Sequence, residues 1–273
     1  MSDIPLLVDA RWLCAHKEVR AVDLRWSLQG PPARQRYDEG HVPGAVFVDL
    51  DRDLSQPGGP GRHPLPSAEA FAAVLSRIGV GPDTHVVVYD QRDGSVAARL
   101  WFMLRAFGHE RVSLLDGGLD AWVAAGLPLS REEPRAEAAP LRKLLLDRSR
   151  IVDAEQVQER GKAMLLDARA PERYRGEVEP VDKKAGHIPG AVNAPHARNV
   201  DAQGRFRPPR ELRDLYSKYT SGVIVSCGSG VTACSDAFAI ELAGLPPARL
   251  YVGSWSGWIE DPARPIALGP EPG

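Results

Sequence analysis

At 273 residues the chain is long enough for two ordinary domains or one large one. Its 43% hydrophobic and 26% charged residues are a globular composition with apolar material for two sizeable cores. A formal net charge of -2, from 34 Lys and Arg against 36 Asp and Glu, excludes the strongly basic face of a nucleic-acid or anionic-membrane binder.

The N-terminal stretch Met1-Ser2-Asp3-Ile4-Pro5 has no basic segment followed by an apolar one, so no signal peptide is expected. No apolar run approaches the ~20 residues of a membrane helix. Three cysteines, Cys14, Cys227 and Cys234, are too few and of the wrong parity for a disulfide framework. These features predict a soluble monomer of a reducing compartment, the cytoplasm, with no nucleic-acid or membrane partner.

Along the chain, Val22-Asp23-Leu24-Arg25 reads as the end of a buried strand, followed by Gly40-His41-Val42-Pro43-Gly44-Ala45-Val46. Ser67 stands before an amphipathic run, Ala68 to Leu75, as a helix cap. The apolar run Val86-Val87-Val88-Tyr89 precedes Asp90, and Leu114-Leu115-Asp116-Gly117-Gly118 precedes Trp122. A segment rich in charge, Ala and Pro follows, with no apolar period.

The same landmarks then return. Leu166-Asp167-Ala168-Arg169 matches the first strand end, and Gly186-His187-Ile188-Pro189-Gly190-Ala191-Val192 matches the Gly-His segment. Val223-Ile224-Val225-Ser226 precedes Cys227, and Leu250-Tyr251-Val252-Gly253-Ser254 precedes Trp258. A repeat of about 140 residues is a duplicated domain, not a solenoid. The reading is an N-terminal domain over 1–130, a linker over 131–149 and a C-terminal domain over 150–273. Short strand runs alternating with helical patterns predict an α/β fold in each, a mainly parallel sheet with helices on both faces.

In such sheets ligands bind beyond the carboxyl ends of strands, where Cys227 stands. Gly228 and Gly230 let the loop Cys227-Gly228-Ser229-Gly230-Val231-Thr232 curl with its N–H groups inward, ahead of an apolar helix from Ala233 to Leu242. A thiol over such a nest is expected to favour its thiolate. A free cysteine is usually a small buried hydrophobe, the reading for Cys14 and Cys234. The strand-to-helix position argues for reactivity at Cys227.

The string Cys-Gly-Ser-Gly-Val-Thr-Ala from Cys227 to Ala233 resembles the active-site loop of mercaptopyruvate sulfurtransferases. The duplicated Gly-His-(Ile/Val)-Pro-Gly-Ala motif is similar to that of tandem rhodanese-like domains. The resemblance spans about residues 5 to 268, and Asp90 at the first repeat's equivalent of Cys227 matches a non-catalytic N-terminal domain. It implies sulfur transfer through a covalent Cys227 persulfide, with no metal or other cofactor. The donor would be a small molecule, 3-mercaptopyruvate or alternatively thiosulfate. The acceptor would be a thiol such as thioredoxin or glutathione, or cyanide.

Classical thiosulfate rhodaneses carry cations directly after the cysteine. Here Gly228 and Ser229 are neutral, which favours mercaptopyruvate, with Ser229 either relaying a proton to the donor's carbonyl or bonding the loop backbone. Arg173 matches the family's substrate arginine, and Arg169 reads as a structural ion-pair residue. Arg175 fits either role. The second substrate arginine, expected after Glu179-Pro180, is Val181 here, which leaves Lys183 or Lys184 as a looser substitute.

His41 matches the histidine that some relatives pair with the loop serine. No carboxylate stands about eleven residues before it, so a triad is not supported and a structural loop role is the default. Trp255 is expected to wall the pocket and Trp258 to lie in the core; Gly257 occupies a place where the family commonly has glutamate. A cysteine phosphatase would need an arginine at Ala233. A non-catalytic sulfur-binding or partner-docking module would normally have lost the cysteine.

Overall fold

The apolar runs form short parallel strands. In the computed structural model, which describes residues 4–219 and 221–273, the first repeat contributes β1 (Leu7–Val8), β2 (Arg20–Asp23), β3 (Val46–Phe47), β4 (Val86–Tyr89) and β5 (Val112–Leu115). The second contributes β6 (Ile151–Val152), β7 (Met164–Asp167), β8 (Ala191–Asn193), β9 (Val223–Ser226) and β10 (Arg249–Tyr251). Met1 to Asp3, part of the N-terminal segment read above, lie outside the described residues.

The sheets run β1-β5-β4-β2-β3 and β6-β10-β9-β7-β8, the same permutation twice. All pairs are parallel, and β9 lies between β10 and β7. Each sheet belongs to the α/β fold expected from the repeat.

The first repeat's helices are α1 (Ala10–Ala15), α2 (Ala33–Glu39), α3 (Leu50–Asp53), α4 (Ala68–Arg77), α5 (Ala97–Ala106) and α6 (Gly118–Ala124). The second has α7 (Ala154–Gln158), α8 (Pro171–Tyr174), α9 (Pro209–Tyr216), α10 (Ala233–Leu242) and α11 (Ser254–Trp258). Ser67 caps α4 by accepting the Ala70 N–H at 3.1 Å. Every residue of β4 is buried, so both faces of that sheet are covered. Val87 and Tyr89 pack with Leu13 of α1 and Trp122 of α6, while α5 lies against β4 and β5. In the second sheet Leu165 and Ile224 pack with Val157, Trp255 and Trp258, and α10 lies against β9 and β10. Among the described residues no helix is long and apolar enough to cross a membrane.

The duplicated sequence motif is a duplicated lock. Arg25 donates to Asp23 and to the Gly40 carbonyl at 2.8 Å; Arg169 donates to Asp167 and to the Gly186 carbonyl, also at 2.8 Å. Tyr37 stacks on His41 and Tyr174 on His187, each with ring centroids 3.8 Å apart. The Tyr37 hydroxyl donates to the Ala45 carbonyl at 2.7 Å and Tyr174 to that of Ala191 at 2.6 Å. Gly-His-x-Pro-Gly-Ala is thus fold chemistry in both repeats.

The chain forms two compact units that a single cut between 131 and 149 does not describe. The first comprises the chain up to Gln56 with Pro66–Asp147 and Asp201–Phe206; the second comprises Pro57–Leu65, Arg148–Val200 and Arg207–Gly273. Pro57–Leu65 is held there by its backbone: Gly61 N–H donates to Glu260 at 2.9 Å and Arg62 N–H to the Ser256 hydroxyl at 3.1 Å. Its Pro- and Gly-rich sequence has no hydrophobic period, so its packing partner was not written in the sequence.

Behind β9, α10 buries its first eight residues, Ala233 to Ile240. Among them Asp236 accepts a hydrogen bond from Asn199 at 2.7 Å. Burial lifts its carboxyl from 3.8 to about 8, against the hydrogen bonds of Asn199 and Tyr216. Between those values the native chain keeps a proton that the unfolded chain releases, so the stability this group contributes at low pH is lost as pH rises toward 8. Asp236→Asn should therefore unfold at a higher temperature than wild type at pH 9, with the gap narrowing toward pH 5. Thermal melts across that range check this.

Candidate active site

Strand β9 ends at Ser226, and the loop Cys227–Thr232 turns the chain into α10. Cys227 is buried, with 2% of its surface exposed. The Gly230 N–H points at its sulfur, N to Sγ 3.2 Å. The first repeat shows what this turn is suited to hold. There Asp90 stands in the place of Cys227, and its carboxylate accepts from the N–H groups of Arg92, Gly94, Val96 and Ala97 at 2.9–3.1 Å. Burial raises Asp90 to about 6 against those amides, so it is still a carboxylate at neutral pH. The turn is an anion receptor, filled by its own side chain in one repeat and occupied by a thiol in the other.

The loop is fixed from behind by the first three residues of α11. Cys227 N–H donates to the Ser254 hydroxyl at 3.0 Å, Trp255 N–H to the Cys227 carbonyl at 2.9 Å, and Ser256 N–H to the Gly228 carbonyl at 3.0 Å. Ser254 adopts φ 50°, the left-handed region that a non-glycine residue enters only when its surroundings hold it there. Its hydroxyl in turn donates to the Tyr251 carbonyl at 2.9 Å.

The loop serine meets a histidine, and it is not His41. His63 Nδ1 lies 2.8 Å from Ser229 Oγ, with both residues buried. The ring nitrogens of His41 instead contact the Tyr37 and Glu132 carbonyls, at 2.8 and 3.1 Å, inside the first unit. The expectation of a substrate role for His41 is therefore corrected: backbone occupies both of its polar atoms. His63 went unread because it lies in the aperiodic Pro57–Leu65 stretch. Arg62-His63 within a Pro/Gly run was its one signal, since such a loop has no packing reason to carry them.

Charged residues surround the loop. Arg169, 3% exposed, pairs with Asp167 at 2.6 Å and Glu179 at 3.5 Å and lies 5.0 Å over the Trp255 ring. Burial opposes its charge, but Asp167 and Glu179 outweigh it and hold its pKa above the usual arginine value, with Cys227 acting in the same sense. Arg173 donates to Glu179 at 2.6 Å and to Asp182 at 3.2 Å. Arg62 pairs with the other oxygen of Asp182. Gly228 and Ser229 are therefore flanked by charges that balance: three guanidiniums face three carboxylates beside the loop.

The other expected contacts fall elsewhere. Arg175 turns to Glu177 at 2.7 Å, Lys183 is exposed, and among the described residues neither hydrogen-bonds to the Cys227 loop. Trp255 is 1% exposed; its indole N–H donates to the Lys184 carbonyl at 2.8 Å, so it is a core side chain under Arg169 and not a pocket wall. Trp258 is core as well. Val231 is buried and Thr232 half-buried in the loop, and the Cys234 thiol donates to the Gly230 carbonyl at 3.4 Å. A side-chain carbon at Gly257 would lie 3.2 Å from Gly61 N, so the small residue there seats Pro57–Leu65. Among the described residues no group of three His, Cys, Asp or Glu is arranged to hold a metal ion.

Fold and site together define a tandem α/β protein with a buried cysteine in the strand-to-helix turn of its second repeat. Rhodanese-like domains match residues 9–125 and 151–261. A probable 3-mercaptopyruvate sulfurtransferase from Pseudomonas aeruginosa is 46% identical over 92% of this chain and 93% of its own length. A thiosulfate sulfurtransferase from Rattus norvegicus is 38% identical over 93% and 91%. The crystal structure of SseA from Escherichia coli, described as a 3-mercaptopyruvate sulfotransferase, superposes with a TM-score of 0.82 at 34% identity, covering 92% of this chain and 99% of that one. The chain belongs to the rhodanese family.

Replacing Ser254 by alanine removes the acceptor for the buried Cys227 amide while keeping a side chain at positive φ. Ser254→Ala should lose about 1–3 kcal/mol of stability in urea unfolding and should also depress activity, because the amide it releases belongs to Cys227.

Proposed function

We propose that the chain is a sulfurtransferase that takes sulfur from 3-mercaptopyruvate onto Cys227 and passes it to a thiol. The observation that carries this reading is the 2.8 Å contact between Ser229 and His63, two residues beyond Cys227. Attack of the Cys227 sulfur on the donor's sulfur forms an S–S bond and breaks the C–S bond. The freed electron pair becomes the enolate of pyruvate. That enolate needs a proton donor at its oxygen, and a hydroxyl backed by an imidazole supplies one. Thiosulfate would leave sulfite, a stable anion that needs no such help, so the pair favours the keto acid. Gly228 and Ser229 carry no charge, and the guanidiniums beside them, Arg62 and Arg173, are paired to Asp182 and Glu179.

The persulfide's terminal sulfur would carry negative charge over the turn that holds a carboxylate in the first repeat. An acceptor thiolate then attacks that sulfur and releases Cys227, so one transfer is split into two displacements. Thioredoxin or glutathione would serve as acceptor in the reducing cytoplasm, or cyanide in an assay. The chemistry asks for no metal or further cofactor, and a monomer suffices for it.

Incubation with 3-mercaptopyruvate in the absence of acceptor should add the mass of one sulfur atom to the wild type and none to Cys227→Ala, which should also lose turnover. Ser229→Ala and His63→Gln should each lower kcat on 3-mercaptopyruvate by about 10²-fold or more, with a smaller effect on thiosulfate. An equal loss on both donors would remove the enolate argument and leave Cys227 in place.

A further inference from the structure

Cleaving the keto acid at its sulfur requires its carboxylate to be held, and bidentate recognition of a carboxylate takes two N–H donors. Arg173 cannot supply both. Its Nε and Nη2 are engaged by Glu179 and Asp182, leaving Nη1. The sequence offers no cation at Val181, Lys183 is exposed, and Arg175 is turned to Glu177.

The missing donor lies in Pro57–Leu65. A side-chain carbon placed on Gly228 would lie 2.9 Å from Arg62 Nη2 and 3.5 Å from Arg173 Nη1. Neither nitrogen has a hydrogen-bond partner among the described residues, so two guanidinium ends converge beside the backbone of the residue following Cys227. Asp182 sets their spacing by giving one carboxylate oxygen to each arginine. The Arg62 backbone is pinned to Ser256, and its neighbour His63 is bound to Ser229. The side chain, 31% exposed, is thus held at its base and through Nη1 by Asp182, which leaves Nη2 to meet a ligand.

We infer that Arg62 is the second carboxylate-binding residue of this sulfurtransferase, forming with Arg173 a clamp over Gly228 for the donor's carboxylate. This rests on the keto-acid reading above. Asp182 is a positioning residue that holds the two guanidiniums side by side, one on each carboxylate oxygen. The assignment also explains the glycine at 228, since any side chain there would occupy the clamp.

The experiment compares 3-mercaptopyruvate with 1-mercaptopropan-2-one, which keeps the ketone and thiol and lacks the carboxylate, in wild type, Arg62→Gln and Arg62→Lys. Removing one charge-assisted contact should raise KM for 3-mercaptopyruvate about 10- to 100-fold in Arg62→Gln, with kcat much less affected. Inhibition by pyruvate should weaken in step. The wild-type preference for the acid over the ketone should largely collapse in that variant, and Arg62→Lys, which keeps the charge without the fork, should recover part of it. An equal loss on both donors in Arg62→Gln would overturn the assignment and make Arg62 a structural residue of its loop; so would no loss on either. If the wild type itself does not turn over 3-mercaptopyruvate, the proposed function fails first and takes this inference with it. If the wild type works and only the donor selectivity stays unmoved, this inference fails alone.

Discussion

A guanidinium buried at the end of β7 organises the second unit. Arg169 neutralises Asp167, takes the Gly186 carbonyl, approaches Glu179 and sits over the Trp255 ring. Trp255 donates its backbone N–H to the Cys227 carbonyl. One charge therefore joins the strand end, the Gly-His segment and the floor of the catalytic loop. Leaving either buried partner alone would cost about 3–5 kcal/mol, whereas the intact pair contributes little net stability. Its value is geometric: it fixes where the loop stands.

The first unit repeats that lock with Arg25 and Asp23 but ends its central strand in Asp90. The same turn thus has two uses. A carboxylate that takes up four amides closes the turn on itself, while a cysteine leaves amides for an incoming or transferred group. The two turns stand at the same place in the repeat but differ in length, with α5 starting seven residues after Asp90 and α10 six after Cys227.

The proposed site draws on a segment outside the repeat that holds Cys227. Pro57–Leu65 is encoded before β4, yet it groups with the second unit and brings His63 to Ser229 and Arg62 to Asp182. Cys227, the Ser229–His63 contact and the two guanidiniums therefore meet without being neighbours in sequence. Gly228 and Ser229 are flanked by guanidiniums paired to Glu179 and Asp182, and the proposed choice of a keto acid over thiosulfate rests on the Ser229–His63 contact.

The sequence by itself determined the duplication, the parallel α/β class and the place of Cys227 between a strand and a helix. Each is a local signal: apolar runs of strand length, a repeated Asp-x-Arg and Gly-His-x-Pro-Gly, and a Gly-rich loop between a strand and a helix. It also made Trp258 a core residue and Arg169 an ion-pair residue, because burial and pairing follow from residue type and position. Only the tertiary structure decided that His63 and not His41 meets Ser229, that Trp255 is floor and not wall, and that Arg62 stands beside Arg173. The contacts of His63 and Arg62 join segments more than a hundred residues apart through a loop of Pro and Gly with no hydrophobic period. Nothing local in such a loop says which surface it will cover, since its place is set by the side-chain oxygens of Ser256 and Glu260 that its own amides find on folding.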